Sequence, residues 1–593
     1  MKITRKGLLI LSVLLLLCLT LVACTGGDTT SDTTVSDTTA ATDPGADTSA
    51  ETPTEPTETE PETTVAETEP EETAEEVTDV MIGETLDAPH ATQFTVSNVF
   101  ASDMVVQRNE HIRVWGWADA SQNGKKVTGE FKGMFAEAII ENGAWEITFG
   151  ARMDASAELG HTMKIYADGV SYEFTDVLVG DVYMVMGQSN CAYTVANHLA
   201  YNNTPDKGGQ STLDYNAPIR LHYSSLTQTA GYPQRGTADV CKEVMSGETW
   251  KRADSYADIQ NFTAIGYYFA YHYLKLTDSK VPIGLIEIDG NGQPLGAFMC
   301  NQVADEKKTD SFNAQKGYYV TTGVNADWGR YLYNHYMFPF ERYAMAGLIW
   351  YQGESDFQQS NARVYAENFS ALMTYMRSTH NLVNKDFPVY FVEFPTMYTQ
   401  PAGFKPSAGA PMWAYMDIGL IRAVMGSIPR ILPNSHQIVS SDIWTDTTFW
   451  NNLHPNCKYE QAERAATLAA AVNGEGGKTM PQANGPVLVS MEVLEGGKTA
   501  ILTYENVGEG LKTSDGGTEV MGFVMYRKNC AVTTRGELTA TITAPNQITI
   551  ESSSSITGIA YNAITTNFFG NEINLCNSEG TPAGATVILK DSE

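Results

Sequence analysis

The feature that most constrains the fold is the alternation of apolar runs with helical patterns between residues 177 and 472. Apolar runs that predict strands lie at 177–186, 281–288, 346–351, 387–394 and 436–441, and helical patterns lie at 264–276, 361–378, 413–425 and 456–472. Strands that alternate with helices indicate a parallel sheet with helices on both faces. Because buried parallel strands are apolar almost throughout, these runs predict an α/β domain over residues 177–480.

Two β-rich segments flank the predicted α/β domain. Before it, short runs around Val105, Val114 and Trp117 are broken by Gly, Asp and Asn, which predicts a β-sandwich over residues 93–176. After it, short strands with Gly and Asn turns predict a second β domain over residues 484–593. The region after the acidic segment is too long for one compact core, so several domains are expected.

The beginning of the chain has the pattern of an export signal. Basic residues precede an apolar run at 7–23, which ends in Leu21-Val22-Ala23-Cys24. This ending resembles the bacterial lipobox, so we expect a signal peptide over residues 1–24 and a lipid on Cys24. The apolar run is at the short end for a stable membrane span. We therefore expect an extracytoplasmic protein that is lipid-anchored to a bacterial membrane surface.

An acidic segment follows the predicted lipid anchor. Residues 25–88 contain 19 acidic residues and no Lys or Arg, and most of the others are Thr, Ser, Pro, Ala and Gly. Such a composition cannot bury enough apolar surface to fold, and its charges repel one another. We therefore predict a disordered tether over residues 25–92. The net charge of the whole chain is -32, and the body also lacks the basic excess that nucleic-acid binding requires.

Polar residues follow several predicted strands, where ligands bind in open parallel sheets. Ser189 follows the first strand, Gln352 and Glu354 follow the strand at 346–351, and His454 follows the last strand. A serine becomes a strong nucleophile when a base such as histidine takes its proton, and the resulting oxyanion needs donors already in place. The pattern therefore indicates acyl transfer. The cysteine spacings match no metal motif, so we expect no metal or cofactor, and buried thiols or one disulfide.

Several segments carry a resemblance to one known family. Gly347-Leu348-Ile349-Trp350-Tyr351-Gln352-Gly353-Glu354-Ser355 resembles the most distinctive motif of the sialate O-acetylesterase family, a branch of the SGNH hydrolases. Shorter likenesses to this family extend over roughly residues 97–585, at 103–108, 114–119, 177–190, 282–286, Asn334, Met337, Pro339, 574–575 and 580–583. The resemblance implies a flavodoxin-like parallel sheet of the SGNH hydrolase type, between the N-terminal β-sandwich and the C-terminal β domain.

The resemblance also implies roles for individual residues. Ser189 is similar to the nucleophile, and His454 resembles the general base that later protonates the leaving sugar hydroxyl. Backbone N–H groups at Ser189 and near Gly292, with the side chain of Gln352, would form the oxyanion hole. Glu354 would orient or polarise the site.

The chain departs from the family pattern beside the histidine. The family usually has an Asp two or three residues before the catalytic His, where this chain has Asn452 and Asn451. Asn cannot supply the charge that stabilises an imidazolium. A substitute acid, with Asp442, Asp446 and Glu354 as candidates, would restore that charge; a Ser–His dyad helped by a backbone carbonyl is the second possibility, and loss of catalysis the third.

The sequence thus predicts a serine carboxylic-ester hydrolase that removes acetyl groups from a carbohydrate such as sialic acid. The alternative is a catalytically weak or silent surface lipoprotein that binds glycan, and a lipase is disfavoured because no long apolar lid is visible. Ser189, Gln352 and His454 favour the enzyme, whereas Asn451 and Asn452 favour the silent binder. Its expected partners are an acetylated carbohydrate and a membrane.

Overall fold

A computed structural model describes most of the chain after residue 84. The described ranges are 85–225, 240–245, 247–278, 281–300, 302–303, 331–356, 359–394, 413–443, 454–527, 530–533, 538–563 and 573–590. The predicted signal peptide, Cys24, most of the tether, Asp446, Asn451 and Asn452 lie outside the described residues.

The first part of the described chain is β-structure. Its strands are β1 Thr95–Val96, β2 Val105–Gln107, β3 Arg113–Trp117, β4 Lys126–Phe131, β5 Met134–Ile139, β6 Ala144–Thr148, β7 Met163–Ala167 and β8 Val170–Phe174. One sheet has the order β1-β3-β6 and another has the order β5-β4-β7-β8. Strand β2 belongs to neither of these sheets, because it pairs in parallel with the first strand of the next region, β9 Leu178–Gly187.

The predicted end of the tether at residue 92 is wrong. The backbone N–H of Leu86 donates to the carboxylate of Glu137, and Ala91 is buried and donates its N–H to the carbonyl of Lys126 at 2.9 Å. Residues 86–91 therefore pack on β4 and β5. The acidic composition concealed this because the packed residues are few and lie at the end of a long polar stretch.

The central sheet carries the α/β part of the fold. After β9 its strands are β10 Ile219–Ser225, β11 Trp250–Arg252, β12 Ile283–Asp289, β13 Gly347–Tyr351, β14 Val389–Val392 and β15 Ser435–Ile438. The strand order is β11-β10-β12-β9-β13-β14-β15. Strand β11 is antiparallel to β10, and the other neighbours along this path are parallel. The fold is thus a mixed α/β structure built on a largely parallel sheet.

Helices alternate with these strands. They are α1 Val195–Leu199, α2 Tyr256–Ile259, α3 Ala264–Thr277, α4 Gln359–Thr379, α5 Trp413–Met425, α6 Ile428–Ile431, α7 Lys458–Val472 and α8 Met480–Ala483. Shorter 3₁₀ turns lie at Ala120–Gln122, Pro205–Lys207, Gln210–Thr212, Leu295–Phe298, Phe338–Phe340 and Glu354–Asp356, and a π-helical turn lies at Tyr333–Met337. Helix α7 packs against α3, and α4 packs against α5. Every residue of β9 is buried, so both faces of this strand are covered.

The last part of the described chain returns to β-structure. Its strands are β16 Val487–Val493, β17 Thr499–Glu505, β18 Lys512–Thr513, β19 Phe523–Arg527, β20 Cys530–Thr533, β21 Leu538–Ala544, β22 Gln547–Ser552, β23 Gly558–Tyr561, β24 Leu575–Cys576 and β25 Thr586–Leu589. The sheets have the orders β16-β17-β22-β21, β20-β19-β23-β25 and β18-β24.

A buried carboxylate joins this C-terminal β-structure to the central sheet. Glu393 follows β14, and one of its oxygens accepts a hydrogen bond from Arg422 in α5 at 2.8 Å. Its other oxygen accepts from Gln437 in β15 at 3.2 Å and from the backbone N–H of Ala585 at 3.4 Å. Both ions of the pair are almost fully buried. Glu393 therefore holds Ala585, the residue before β25, close to β15 at the edge of the central sheet.

Two observations bear on the cysteines and on the membrane. Cys191, Cys241, Cys300, Cys457 and Cys576 are free thiols. In the ranges that the structure describes, no helix has both the length and the apolar character needed to cross a bilayer.

Candidate active site

The site is built where three neighbouring strands end together. Gly187 at the end of β9 pairs with Tyr351 at the end of β13 and with Asp289 at the end of β12. Gly187 tolerates no side chain, since a Cβ atom would lie 2.0 Å from the carbonyl oxygen of Tyr351. This close approach brings the segments that follow the three strands to one edge of the sheet.

Ser189 and His454 meet at this edge. Ser189 lies two residues after β9, in a turn that is closed by hydrogen bonds from the N–H groups of Cys191 and Ala192 to the carbonyl of Gln188, at 2.8 and 2.9 Å. His454 lies just before α7, and its Nε2 is 2.8 Å from the Oγ of Ser189. A nucleophile and a base within hydrogen-bond reach are the minimal machinery for acyl transfer.

The charge state of His454 suits a general base. Burial lowers its pKa, and the positive charge of Lys458 lowers the pKa further. A histidine with a lowered pKa is neutral over a wider pH range, so at neutral pH its Nε2 can accept the proton of the Ser189 hydroxyl. The neutral state of His454 does not depend on a carboxylate beside the ring.

Asn190 connects the serine turn to two charged groups. Its side-chain N–H donates to the carboxylate of Glu354, and its side-chain oxygen accepts from the ammonium of Lys458 at 2.8 Å. Burial raises the pKa of Glu354 to about 7. Glu354 thus contacts the residue next to Ser189, and its orienting role stays a prediction.

The side chain of Gln352 lies in a buried hydrogen-bond network. Its amide is buried, and its nitrogen lies 2.7 Å from the carboxylate of Asp356, 3.1 Å from the side-chain oxygen of Gln188 and 3.1 Å from the carbonyl of Gln293. Its oxygen accepts from the hydroxyl of Tyr365 at 2.9 Å. The two amide hydrogens are therefore engaged inside the protein, and Gln352 joins the segments after the three strands.

Asp356 belongs to this buried cluster and was missed as a site residue. Burial raises its pKa to about 6, and it also accepts from the N–H of Leu295 at 2.8 Å. It thereby anchors the segment after β12 to the segment after β13. Its position soon after an apolar strand, in Gln-Gly-Glu-Ser-Asp, was the signal in the sequence that could have identified it.

Backbone donors lie beside the serine turn. The N–H of Gly290 donates to the carbonyl of Gly187 at 3.0 Å, and the N–H of Gln293 donates to the carbonyl of Gly290 at 3.2 Å. Between them Gly292 has a φ of +67°, a left-handed conformation that glycine adopts readily. The turn that contains Gly292 is thus fixed to the end of β9. An oxyanion hole formed by the N–H groups of Ser189 and Gly292 stays a prediction.

Asp442, the first substitute acid suggested by the sequence, is bound elsewhere. Its two carboxylate oxygens accept from the guanidinium of Arg464 in α7, each at 2.6 Å. Asp446, Asn451 and Asn452 lie outside the described residues. Across the described ranges, no group of three or more His, Cys, Asp or Glu side chains is arranged to hold a metal ion.

Part of the chain is similar to known carbohydrate esterases. Residues 179–408 match the family model described as carbohydrate esterase, sialic acid-specific acetylesterase. The chain is 24% identical to the sialate O-acetylesterase of Homo sapiens over 341 residues, which is 56% of this chain and 60% of the relative. It is also 24% identical to the sialate O-acetylesterase of Rattus norvegicus over 366 residues, 56% of this chain and 63% of the relative. The chain thus spans about three fifths of the length of these curated relatives.

A solved structure shares the fold. A carbohydrate acetylesterase from Xanthomonas citri superimposes with a TM-score of 0.60 at 24% identity, over 84% of this chain and 100% of that chain. The family match covers β9 and β13, and so contains the serine turn and the Trp-Tyr-Gln-Gly-Glu-Ser segment. The segment 179–408 thus resembles the sialic acid-specific acetylesterases, and this match covers less than half of the chain.

Proposed function

We propose that this protein is a carbohydrate O-acetylesterase that hydrolyses acetyl esters on sugars through a serine acyl-enzyme. The observation that carries the proposal is the 2.8 Å contact between the Oγ of Ser189 and the Nε2 of His454. The names of the curated relatives and of the structural relative support an acetylated sugar as substrate. Sialic acid is the sugar that the family description favours.

The proposed reaction begins at the pair of Ser189 and His454. His454 accepts the proton of Ser189 as the Oγ attacks the acetyl carbonyl. Backbone N–H groups of Ser189 and Gly292 are the proposed donors to the oxyanion. The sugar oxygen leaves with the proton from His454, and a water molecule, activated by the same histidine, then releases acetate from Ser189. The first step requires the neutral form of His454, and the lowered pKa of His454 favours this form.

The proposal includes a finer assignment of the fold. We propose a flavodoxin-like sheet of the SGNH hydrolase type, because a serine turn follows β9, a Gly-containing turn follows β12, and the histidine precedes α7. The flanking β-structure would then present an acetylated glycan to the edge of the sheet that carries Ser189.

Acetate release from O-acetylated sialic acid and from acetylated xylan tests this proposal. We expect Ser189→Ala to lower the rate by at least about 10³-fold and to leave the fold intact, since a residue of the reacting pair is removed. Ser378→Ala is the matched control, because that exposed hydroxyl donates to the carbonyl of Tyr375 within α4. Unchanged turnover in Ser189→Ala would contradict the mechanism. Glycan binding without any acetate release by the wild type would support the silent binder instead.

A further inference from the structure

Lys458 is a charged residue that lies inside the protein next to the proposed active site. It is the first residue of α7, four positions after His454, and it is fully buried. Lysine is almost never fully buried unless its ammonium has specific partners. The position therefore calls for an explanation in terms of what the ammonium contacts.

The contacts of Lys458 join the histidine segment to the serine turn. Its Nζ donates to the carbonyl of Pro455 at 2.8 Å and to the side-chain oxygen of Asn190 at 2.8 Å. The same ammonium lies 5.0 Å from the ring centre of Tyr193 and 4.8 Å from that of Tyr351, within the range of cation–π attraction. One side chain thus contacts the residue after His454, the residue after Ser189 and the end of β13.

These contacts also fix the orientation of Asn190. An ammonium can only donate, so the side-chain oxygen of Asn190 must face Lys458 and its nitrogen must face Glu354. Asn190 is joined to Ser189 through the backbone. Holding the amide of Asn190 from both sides therefore limits how far the Ser189 hydroxyl can move from His454.

Three titratable groups from three segments influence the pKa of Lys458. Glu354 follows β13, Cys191 lies in the serine turn, and Cys457 precedes Lys458 in the chain. Burial lowers the pKa of Lys458 to about 8, and these three groups oppose that lowering. The ammonium is thus still charged at neutral pH, and it acts on His454 by lowering the pKa of the imidazole.

We propose that Lys458 is a positioning residue for the esterase reaction, which holds the Ser189 turn against the His454 segment and places a positive charge in that segment, beside Pro455. The inference rests on the proposed function for its effect on turnover. Its electrostatic part is a property of His454 itself and can be measured without any substrate.

The test compares the full chain with Lys458→Met, which keeps an unbranched side chain one atom shorter and removes the charge. The pKa of His454 is measured by NMR of ¹³C-labelled histidine rings, with the signal assigned by its loss in His454→Gln. We expect the pKa of His454 to rise by about half a pH unit or more, since a nearby positive charge is removed. Lys207→Met is the control. Lys207 forms an ion pair with Glu460, which lies in α7 like Lys458, but the side chain of Lys207 is half exposed.

Turnover of 4-nitrophenyl acetate gives the second readout. In Lys458→Met we expect the acid limb of kcat/KM to move to higher pH and kcat to fall about tenfold or more, with KM nearly unchanged, because positioning acts on the chemical step. A pKa of His454 and an acid limb equal to those of the wild type and of Lys207→Met would overturn the inference. A wild type that hydrolyses no ester would refute the proposed function, while the pKa comparison would still decide the role of the charge.

A second variant covers the case in which Lys458→Met fails to fold. Asn190→Ala keeps the ammonium and removes its link to the serine turn. We expect kcat to fall about tenfold or more while the pKa of His454 is not raised, because the charge remains. Wild-type kcat in Asn190→Ala would overturn the positioning role.

Discussion

At the scale of single residues, the carboxylate Asp442 decides between two forms of the proposed mechanism. A substitute acid would have to direct an oxygen at the second nitrogen of His454. Asp442 instead gives both oxygens to Arg464, in a pairing whose side chains are partly exposed. This arrangement favours the Ser–His dyad over a triad completed by Asp442.

We therefore expect Asp442→Asn to keep the esterase rate within about twofold of the wild type, because both oxygens of Asp442 bind Arg464. The fold should also persist, since a partly exposed ion pair contributes only about 0–1 kcal/mol to stability. The measurement is kcat/KM for 4-nitrophenyl acetate. Asn452→Asp, which restores the acid of the family pattern, serves as the comparison and should preserve or raise the rate if that position faces His454. A fall of more than about tenfold in Asp442→Asn would return Asp442 to the mechanism.

The sequence could place Ser189 and His454 at one edge of the sheet because both follow predicted parallel strands. Their catalytic roles were implied by the resemblance to the esterase family. The sequence could not identify Lys458, because the burial of a charged residue depends on packing between distant segments. Nothing in the local pattern distinguishes Lys458 from the exposed lysines of an ordinary helix start. The orientation of Gln352 could not be predicted either, because it depends on partners at positions 188, 293 and 356.

At the scale of elements, the apolar runs predicted most of the central sheet and its helices. The pattern at 264–276, for example, corresponds to the helix Ala264–Thr277. Strand β10 was missed because its interior carries Arg220 and His222, polar residues that are nevertheless buried. Strand β2 was not assigned to this sheet because its three residues join β9 across a long stretch of chain.

The pairing of Glu393 with Arg422 makes a prediction at this scale. Glu393→Leu leaves the guanidinium of Arg422 buried without its carboxylate, which should cost about 3–5 kcal/mol in the free energy of unfolding. Unfolding by urea, followed by tryptophan fluorescence, measures this loss.

Two further variants separate the buried charge from the lost packing. The double variant Glu393→Leu with Arg422→Met should recover most of the stability, because no uncompensated charge remains. Arg342→Met, which breaks a more exposed pair with Glu146, should cost no more than about 1 kcal/mol. Equal losses in the single and double variants would show that packing, and not charge, is responsible.

At the scale of the whole molecule, the acidic segment and Cys24 predict attachment to a membrane surface. We propose that a lipid on Cys24 anchors the chain and that the residues after it act as a spacer, since like charges favour an extended chain. Fractionation of the native host should find the wild type with membranes and Cys24→Ala as soluble or uncleaved protein. Wild type found free in the cytoplasm would contradict this location.

The distance along the chain between Ser189 and His454 has a consequence for biogenesis. The two residues are 265 positions apart, and the histidine comes after every strand of the central sheet. Because synthesis proceeds from the N-terminus, the serine turn exists long before its base does. A chain truncated before residue 454 could hold these strands and still lack the group that activates the serine. Helix α7 begins at Lys458 and follows His454 closely, so under the proposed mechanism the chain cannot hydrolyse an ester before this segment is in place.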